Sequence, residues 1–196
     1  MHAQRTKERI LKAAIQLFKE NGYNNVGIEE IANAAEVSRG SFYVYYKNKD
    51  DLLAEYLHSL DQVYNEYYET VLCGKECSSL NSLEKFNLYM KYTLQVSSEN
   101  SQDLIRMYYA YLTKSTNTWA RRDRCYFPIL EKLIAMAQEE GSIRKDISIE
   151  SIENISLGIT RGLTLEWCAS DESVTMESKF PVIDDFCTML MPHPKE

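Results

Sequence analysis

Apolar residues recur along this chain at the three- and four-residue spacing of helices, while alternation at a period of two is confined to short runs. In RTKERILKAAIQLFKENG, Ile10, Ala13, Ala14, Leu17 and Phe18 fall on one helical stripe. Gly22 after Asn21 stops this helix, because glycine accepts a left-handed conformation. In GIEEIANAAEVS, Ile28, Ile31, Ala32 and Ala35 repeat the pattern. A turn over Ala35-Glu36-Val37 leads to Ser38, a good N-cap, which predicts a third helix from Ser38 to Tyr45 or Tyr46. Asn48 is a second cap, with Asp50 and Asp51 in the first turn, where the helix dipole favours anions.

The fourth helix is expected to run from Lys49 to Leu72 and to end at Cys73-Gly74. Further helices are expected near 80–97, 102–117, 126–140, 149–169 and 175–190, with turns at 97–101, 115–118 and 139–146. Pro128 and Pro181 belong in first turns or at kinks. The fold class is therefore all-α, with about nine helices in a small N-terminal head and a larger body.

Two short helices joined by a tight turn suggest a helix-turn-helix, whose second helix enters the major groove of DNA. Winding residues 38–46 at about 100° per residue tests the idea. Phe42 and Tyr46 fall together and face inward, toward Ile10, Leu17, Ile31 and Leu52. Gly40 and Val44 fall on the opposite face, flanked by Ser41 and Tyr43. Arg39 and Tyr45 sit at its margins, where they can reach phosphates or base edges. Lys49 adds charge beside helix-start amides that already attract phosphate. One small three-helix unit cannot bury rings on both sides of one helix, so Tyr43 and Tyr45 need a partner outside the head.

Charge supports this division. The 196 residues carry a net charge of -7, but residues 1–50 hold 8 Lys+Arg against 6 Asp+Glu, and residues 51–196 hold 14 against 23. A mildly basic head on an acidic body fits nucleic-acid binding at one end. A chain this long buries roughly 70% of its unfolded surface and needs no disulfide or metal to fold. No apolar run approaches the roughly 18 residues of a membrane span, and the N-terminus lacks a secretory apolar core, so a cytoplasmic location without membrane attachment is expected. Cys73, Cys77, Cys125, Cys168 and Cys187 are odd in number and irregular in spacing, which does not read as a disulfide framework. Lys75 lies between Cys73 and Cys77, but no His or third Cys is near enough for zinc, and unpaired thiols are the simpler reading. No metalloprotease, nucleophile-elbow or phosphate-loop motif occurs, so no enzyme and no cofactor is expected.

The stretch GYNNVGIEEIANAAEVSRGSFYVYYKNKDDLL resembles the N-terminal domain of the tetracycline-repressor (TetR) family of bacterial transcription regulators. The resemblance covers about residues 5–55, from LFKENGY through VSRGSFY to YKNKDDLL. It implies a DNA-binding domain at 1–48 and a ligand-binding and dimerisation domain at 49–196. It also implies DNA contacts from Arg39, Gly40, Ser41, Tyr43, Val44, Tyr45 and Lys49, with Ile28 a weaker candidate. The chain departs from the family pattern at Gly27, where Thr or Ser is usual, and at Tyr45-Tyr46, where His-Phe is frequent.

The body offers stripes for a homodimer. Ile152, Ile155, Ile159 and Leu163 form one, Gly158 and Gly162 open a groove beside it, and Phe180, Ile183, Phe186, Cys187 and Leu190 form another on the last helix. The resemblance implies a four-helix interface there. It also implies a small-molecule pocket among the middle helices, with Phe86, Tyr89, Met90, Met107, Tyr108, Tyr111, Trp119 and Trp167 as candidate lining. The expected function is a ligand-responsive regulator, most simply a repressor, that binds palindromic double-stranded operator DNA as a homodimer and is released by a small-molecule effector. The alternative is a helical small-molecule-binding or enzymatic protein in which the head is only structural.

Overall fold

A computed structural model describes residues 2–114, 126–171 and 173–193. Among them every regular element is helical, as the spacing predicts. The expected turn at 115–118, Trp119 and Cys125 lie outside the described residues. The chain divides by packing into two units, Met1–Leu60 with Asn100–Arg121, and Asp61–Glu99 with Arg122–Glu196.

The first unit begins with α1 (His2–Asn21), α2 (Ile28–Ala34), α3 (Arg39–Tyr45) and the first part of α4 (Lys49–Tyr67). Ile10, Ala14 and Phe18 of α1 repeat every four residues and meet Ile31 and Ala32 of α2, Phe42 of α3, Tyr46, and Leu52 and Leu53 of α4 in one core. The expected stop at Gly22 is present, with φ at +79°, and a single 3-10 turn, Tyr23–Asn25, follows it. Tyr23 and Val26 fold back into the same core.

The sixth helix, α6 (Gln102–Lys114), also belongs to this unit. Its Leu104 is fully buried in the head core, and Met107 and Tyr111 pack against it. No local feature announces this, because the apolar face of a helix does not name the face it will meet.

The second unit is built around α5 (Ser82–Ser98), which packs on α7 (Tyr126–Glu140), α8 (Ile149–Ala169) and α9 (Phe180–Leu190). A capping box starts α5: Asn81 accepts from the Glu84 amide, and the Glu84 carboxylate accepts from the Asn81 amide. Phe86, Tyr89, Met90 and Leu94 are fully buried along it. Tyr64, Tyr89 and Tyr126 form a ring cluster with centroids 5.7–6.4 Å apart. On α8, Ser156, Thr160 and Thr164 are buried, and each hydroxyl donates to the carbonyl four residues earlier, which satisfies it within its own helix.

Two helices end differently from expectation. α4 stops at Tyr67, and Tyr68–Leu72 continue as a wider π turn that Cys73 closes by donating to the Tyr68 carbonyl. The stretch expected as one helix at 175–190 is a 3-10 turn, Met176–Lys179, followed by α9 with Pro181 in its first turn. Proline is tolerated there because first-turn amides have no helical acceptor. No helix among the described residues is long and apolar enough to cross a membrane.

The turn after α4 requires a glycine. A Cβ at Gly74 would lie 2.4 Å from the Thr70 carbonyl oxygen, which a backbone atom cannot yield cheaply. Gly74→Ala should lower the unfolding free energy in urea by about 1–3 kcal/mol, the usual cost of overpacking. An unchanged unfolding midpoint would contradict this close approach.

Candidate nucleic-acid interface

α3 has only seven residues, so its shape depends on its ends and its buried face. Ser38 caps it: the Oγ accepts from the Ser41 amide at 3.0 Å. Phe42 is fully buried, and its ring meets Tyr46 at 5.8 Å. The opposite face is open, with Val44 76% exposed, Tyr43 45% exposed, and Gly40 exposed beside them. No acidic residue lies in the helix. Arg39 is exposed and places its guanidinium over the Tyr43 ring, 5.9 Å from its centroid. The two side chains therefore present a joined cation and ring rather than two independent groups.

The other expected contacts sit differently. Ser41 is half-buried, and Tyr45 is half-buried against the head core, so its ring serves packing as well as the margin of the face. Ile28 is half-buried at the start of α2. Gly27 is the N-cap of α2 and makes no side-chain cap; space around it is open.

Lys49 turns inward. Its Nζ donates to the carbonyls of Tyr23 and Val26, both at 2.8 Å, and lies 4.5 Å from the Tyr23 ring centroid. Burial pushes its pKa down, and nearby Asp50 partly opposes this. The Tyr23 hydroxyl donates to the Asp50 carboxylate at 2.6 Å; burial, then this bond, pushes the phenol up.

Two further cations brace the head. Arg9 of α1 donates to the carbonyls of Ala35 and Glu36 and pairs with the Glu36 carboxylate at 3.5 Å. This supports a turn in which Glu36 holds φ at +52°, a left-handed conformation uncommon for a residue with a Cβ. Lys7 pairs with Glu55 at 2.8 Å, and its carbonyl accepts from the Tyr46 hydroxyl at 3.4 Å. Sequence reasoning missed these roles, since Arg9 and Lys7 read only as the polar side of α1.

The remaining candidates separate. Phe86, Tyr89, Met90 and Trp167 are buried in the second unit, with the Trp167 Nε1–H donating to the Val174 carbonyl at 3.1 Å. Met107, Tyr108 and Tyr111 belong to the first unit and are half-buried. Residue type grouped these side chains in the sequence, and packing divides them. Among the interface candidates, Ile152, Leu163, Ile183, Phe186 and Leu190 are buried in their own unit, where Phe86 and Phe186 meet at 6.3 Å. Ile155 is 45% exposed, Gly158 and Gly162 face open space, and Ile159 is half-buried.

Residues 10–56 match the family described as bacterial regulatory proteins, tetR family. The chain belongs to the TetR family. It is a DNA-binding transcription regulator, and α2 and α3 are its helix-turn-helix. It is similar to the probable acrEF/envCD operon repressor of Escherichia coli K12, at 22% identity over 97% of this chain and 89% of that protein. Two solved structures share the fold. A TetR-family transcriptional regulator from Pectobacterium atrosepticum has a TM-score of 0.80 at 16% identity, covering 99% of this chain and 98% of that one. The Thermus thermophilus repressor FadR, solved with lauroyl-CoA, has a TM-score of 0.72 at 22% identity, covering 97% of each chain.

The bare cap at Gly27 gives a direct test. Gly27→Ser should raise stability by a few tenths of a kcal/mol through a new side-chain cap on α2. Thermal unfolding of the two proteins measures this, and a lower midpoint would mean that the open space at Gly27 is required.

Proposed function

We propose that this TetR-family regulator is a homodimeric repressor, without enzymatic activity of its own, that binds palindromic operator DNA and is released by a small-molecule effector. The observation that carries the reading is the outward face of α3. An exposed glycine, valine and tyrosine share the outer face of a helix that contains no acidic residue, with a guanidinium over the tyrosine ring. Gly40 lets the backbone approach, Val44 offers an apolar contact to a thymine methyl, and Arg39 can donate to guanine or phosphate. Ser41, Tyr43 and Tyr45 complete the face, with Ile28 at its edge.

A palindromic site needs two such helices about 34–36 Å apart, hence a two-fold partner. The surface that supports one is the outer side of α8 and α9. Ile155, Gly158, Gly162 and Leu165 are exposed on α8, and Val182 and 70%-exposed Met189 on α9. Ile152, Leu163, Ile183, Phe186 and Leu190 would back this surface from within. For the effector, the apolar interior around Phe86, Tyr89 and Met90 supports a mostly apolar ligand, and a protein of this fold from Thermus thermophilus holds lauroyl-CoA. Release requires that the effector bind one of two conformations more tightly.

Tyr43→Ala should weaken operator binding by about 1–3 kcal/mol, roughly tenfold to a hundredfold, in fluorescence anisotropy with a duplex selected by the wild-type protein. Unchanged affinity would remove α3 as the reading helix. Gly162→Leu should shift the protein from dimer to monomer in sedimentation equilibrium while leaving its helical content unchanged, since a Cβ there meets nothing among the described residues. A variant that still sediments as a dimer would exclude the α8 face.

A further inference from the structure

We propose that Arg9 is a positioning residue for DNA recognition, which clamps the strained turn between α2 and α3 and so sets the direction in which α3 points. The inference rests on α3 being the reading helix, and it gives Arg9 no DNA contact of its own.

α2 ends in a Schellman motif. The Val37 amide donates to the Ala32 carbonyl at 2.9 Å, and the Glu36 amide donates to the Asn33 carbonyl at 3.0 Å. This pairing puts the residue just past the helix in a left-handed conformation, and glycine is its usual occupant. Here the occupant is Glu36, with φ at +52°. Among the described residues it is the only non-glycine with a positive φ. A Cβ is crowded by the following carbonyl oxygen in that region, so Glu36 is biased to leave it. Ser38, the cap of α3, comes only two residues later. A rotation at Glu36 therefore swings α3 as a whole against α2.

Arg9 reaches this turn from α1. Its Nη2 donates to the Ala35 carbonyl and, at 3.2 Å, to the Glu36 carbonyl. These oxygens belong to the two peptide planes on either side of the Glu36 Cα. The backbone angles of Glu36 are the rotations of those planes about that atom, so one nitrogen holding both oxygens holds both rotations. The Glu36 carboxylate lies 3.5 Å from the same nitrogen, but its side chain is 87% exposed, and an ion pair so exposed adds little. The two carbonyls, rather than the carboxylate, are what the guanidinium uses to keep the turn.

Without the clamp, Glu36 leaves the left-handed region in a share of the molecules, and α3 no longer presents Gly40, Tyr43 and Val44 at the angle that fits a groove. Apparent affinity then falls in proportion to the fraction that keeps the turn. Full-length wild type, Arg9→Met, and Arg9→Met combined with either Glu36→Gly or Glu36→Ala are titrated onto a duplex selected by the wild-type protein. The titrations run well below every thermal midpoint and across a range of KCl concentrations. Glycine removes the backbone strain, whereas alanine removes only the carboxylate.

Arg9→Met should weaken binding about tenfold, the scale of one lost charged hydrogen bond, with the slope of log Kobs against log salt unchanged. Adding Glu36→Gly should restore wild-type affinity, and adding Glu36→Ala should not. A fully folded Arg9→Met protein that binds as tightly as wild type would leave Arg9 a stabilising role only and overturn the proposal. A slope flattened by about 0.9, with no rescue by glycine, would overturn it too, by making Arg9 a phosphate contact. If Arg9→Met does not fold, the comparison moves to the Glu36→Gly protein, where Arg9→Met should cost no affinity; a tenfold loss there overturns the clamp. A wild-type protein that selects no duplex removes the reading role of α3 and this inference together, whereas a loss that glycine fails to rescue removes the inference alone.

Discussion

The head depends on one constraint: a seven-residue helix cannot hold itself together in water. α3 exists because Phe42 and Tyr46 are buried beneath it, each such ring contributing about 1.5–3 kcal/mol, and because Ser38 caps its start. Those anchors also fix its rotation. With Phe42 inward, Gly40, Tyr43 and Val44 have no other direction than outward. The outward face of α3 is thus what a packing solution leaves over, and α1, α2, α4 and α6 all contribute side chains to that solution.

Charge in the head is divided between bracing and display. Lys7, Arg9 and Lys49 are engaged with a carboxylate or with backbone carbonyls of the turns. Exposed ion pairs of this kind add little stability by themselves, but carbonyl acceptors within turns fix geometry. Arg39 and Lys47 stay exposed. The excess of positive charge along residues 1–50 is accordingly a poor measure of how many cations stay exposed.

In the second unit α8 carries different residues on its two faces. The inner side of α8 carries Ile152, Ser156, Thr160, Leu163 and Thr164, whose hydroxyls are satisfied by their own helix. The outer side carries Ile155 and two glycines at which an added Cβ would meet nothing among the described residues. Exposed apolar area of this kind is recognised only once the inner face has been assigned.

Most of the fold was legible because helical periodicity, caps and turn glycines are local. Ser38, Asn48 and Gly22 act where their residue types suggest, and the outward face of α3 followed from the angle between successive residues alone. What could not be read was every pairing at long range. Nothing near Leu104 says that α6 enters the head core, nothing near Ile152 or Phe186 separates an inner from an outer stripe, and nothing near Lys49 names the carbonyls of Tyr23 and Val26. Local sequence determined which residues are helical and which face of each helix is apolar. Only tertiary packing decided what each face meets, because burial and hydrogen bonding are settled between segments distant in the chain.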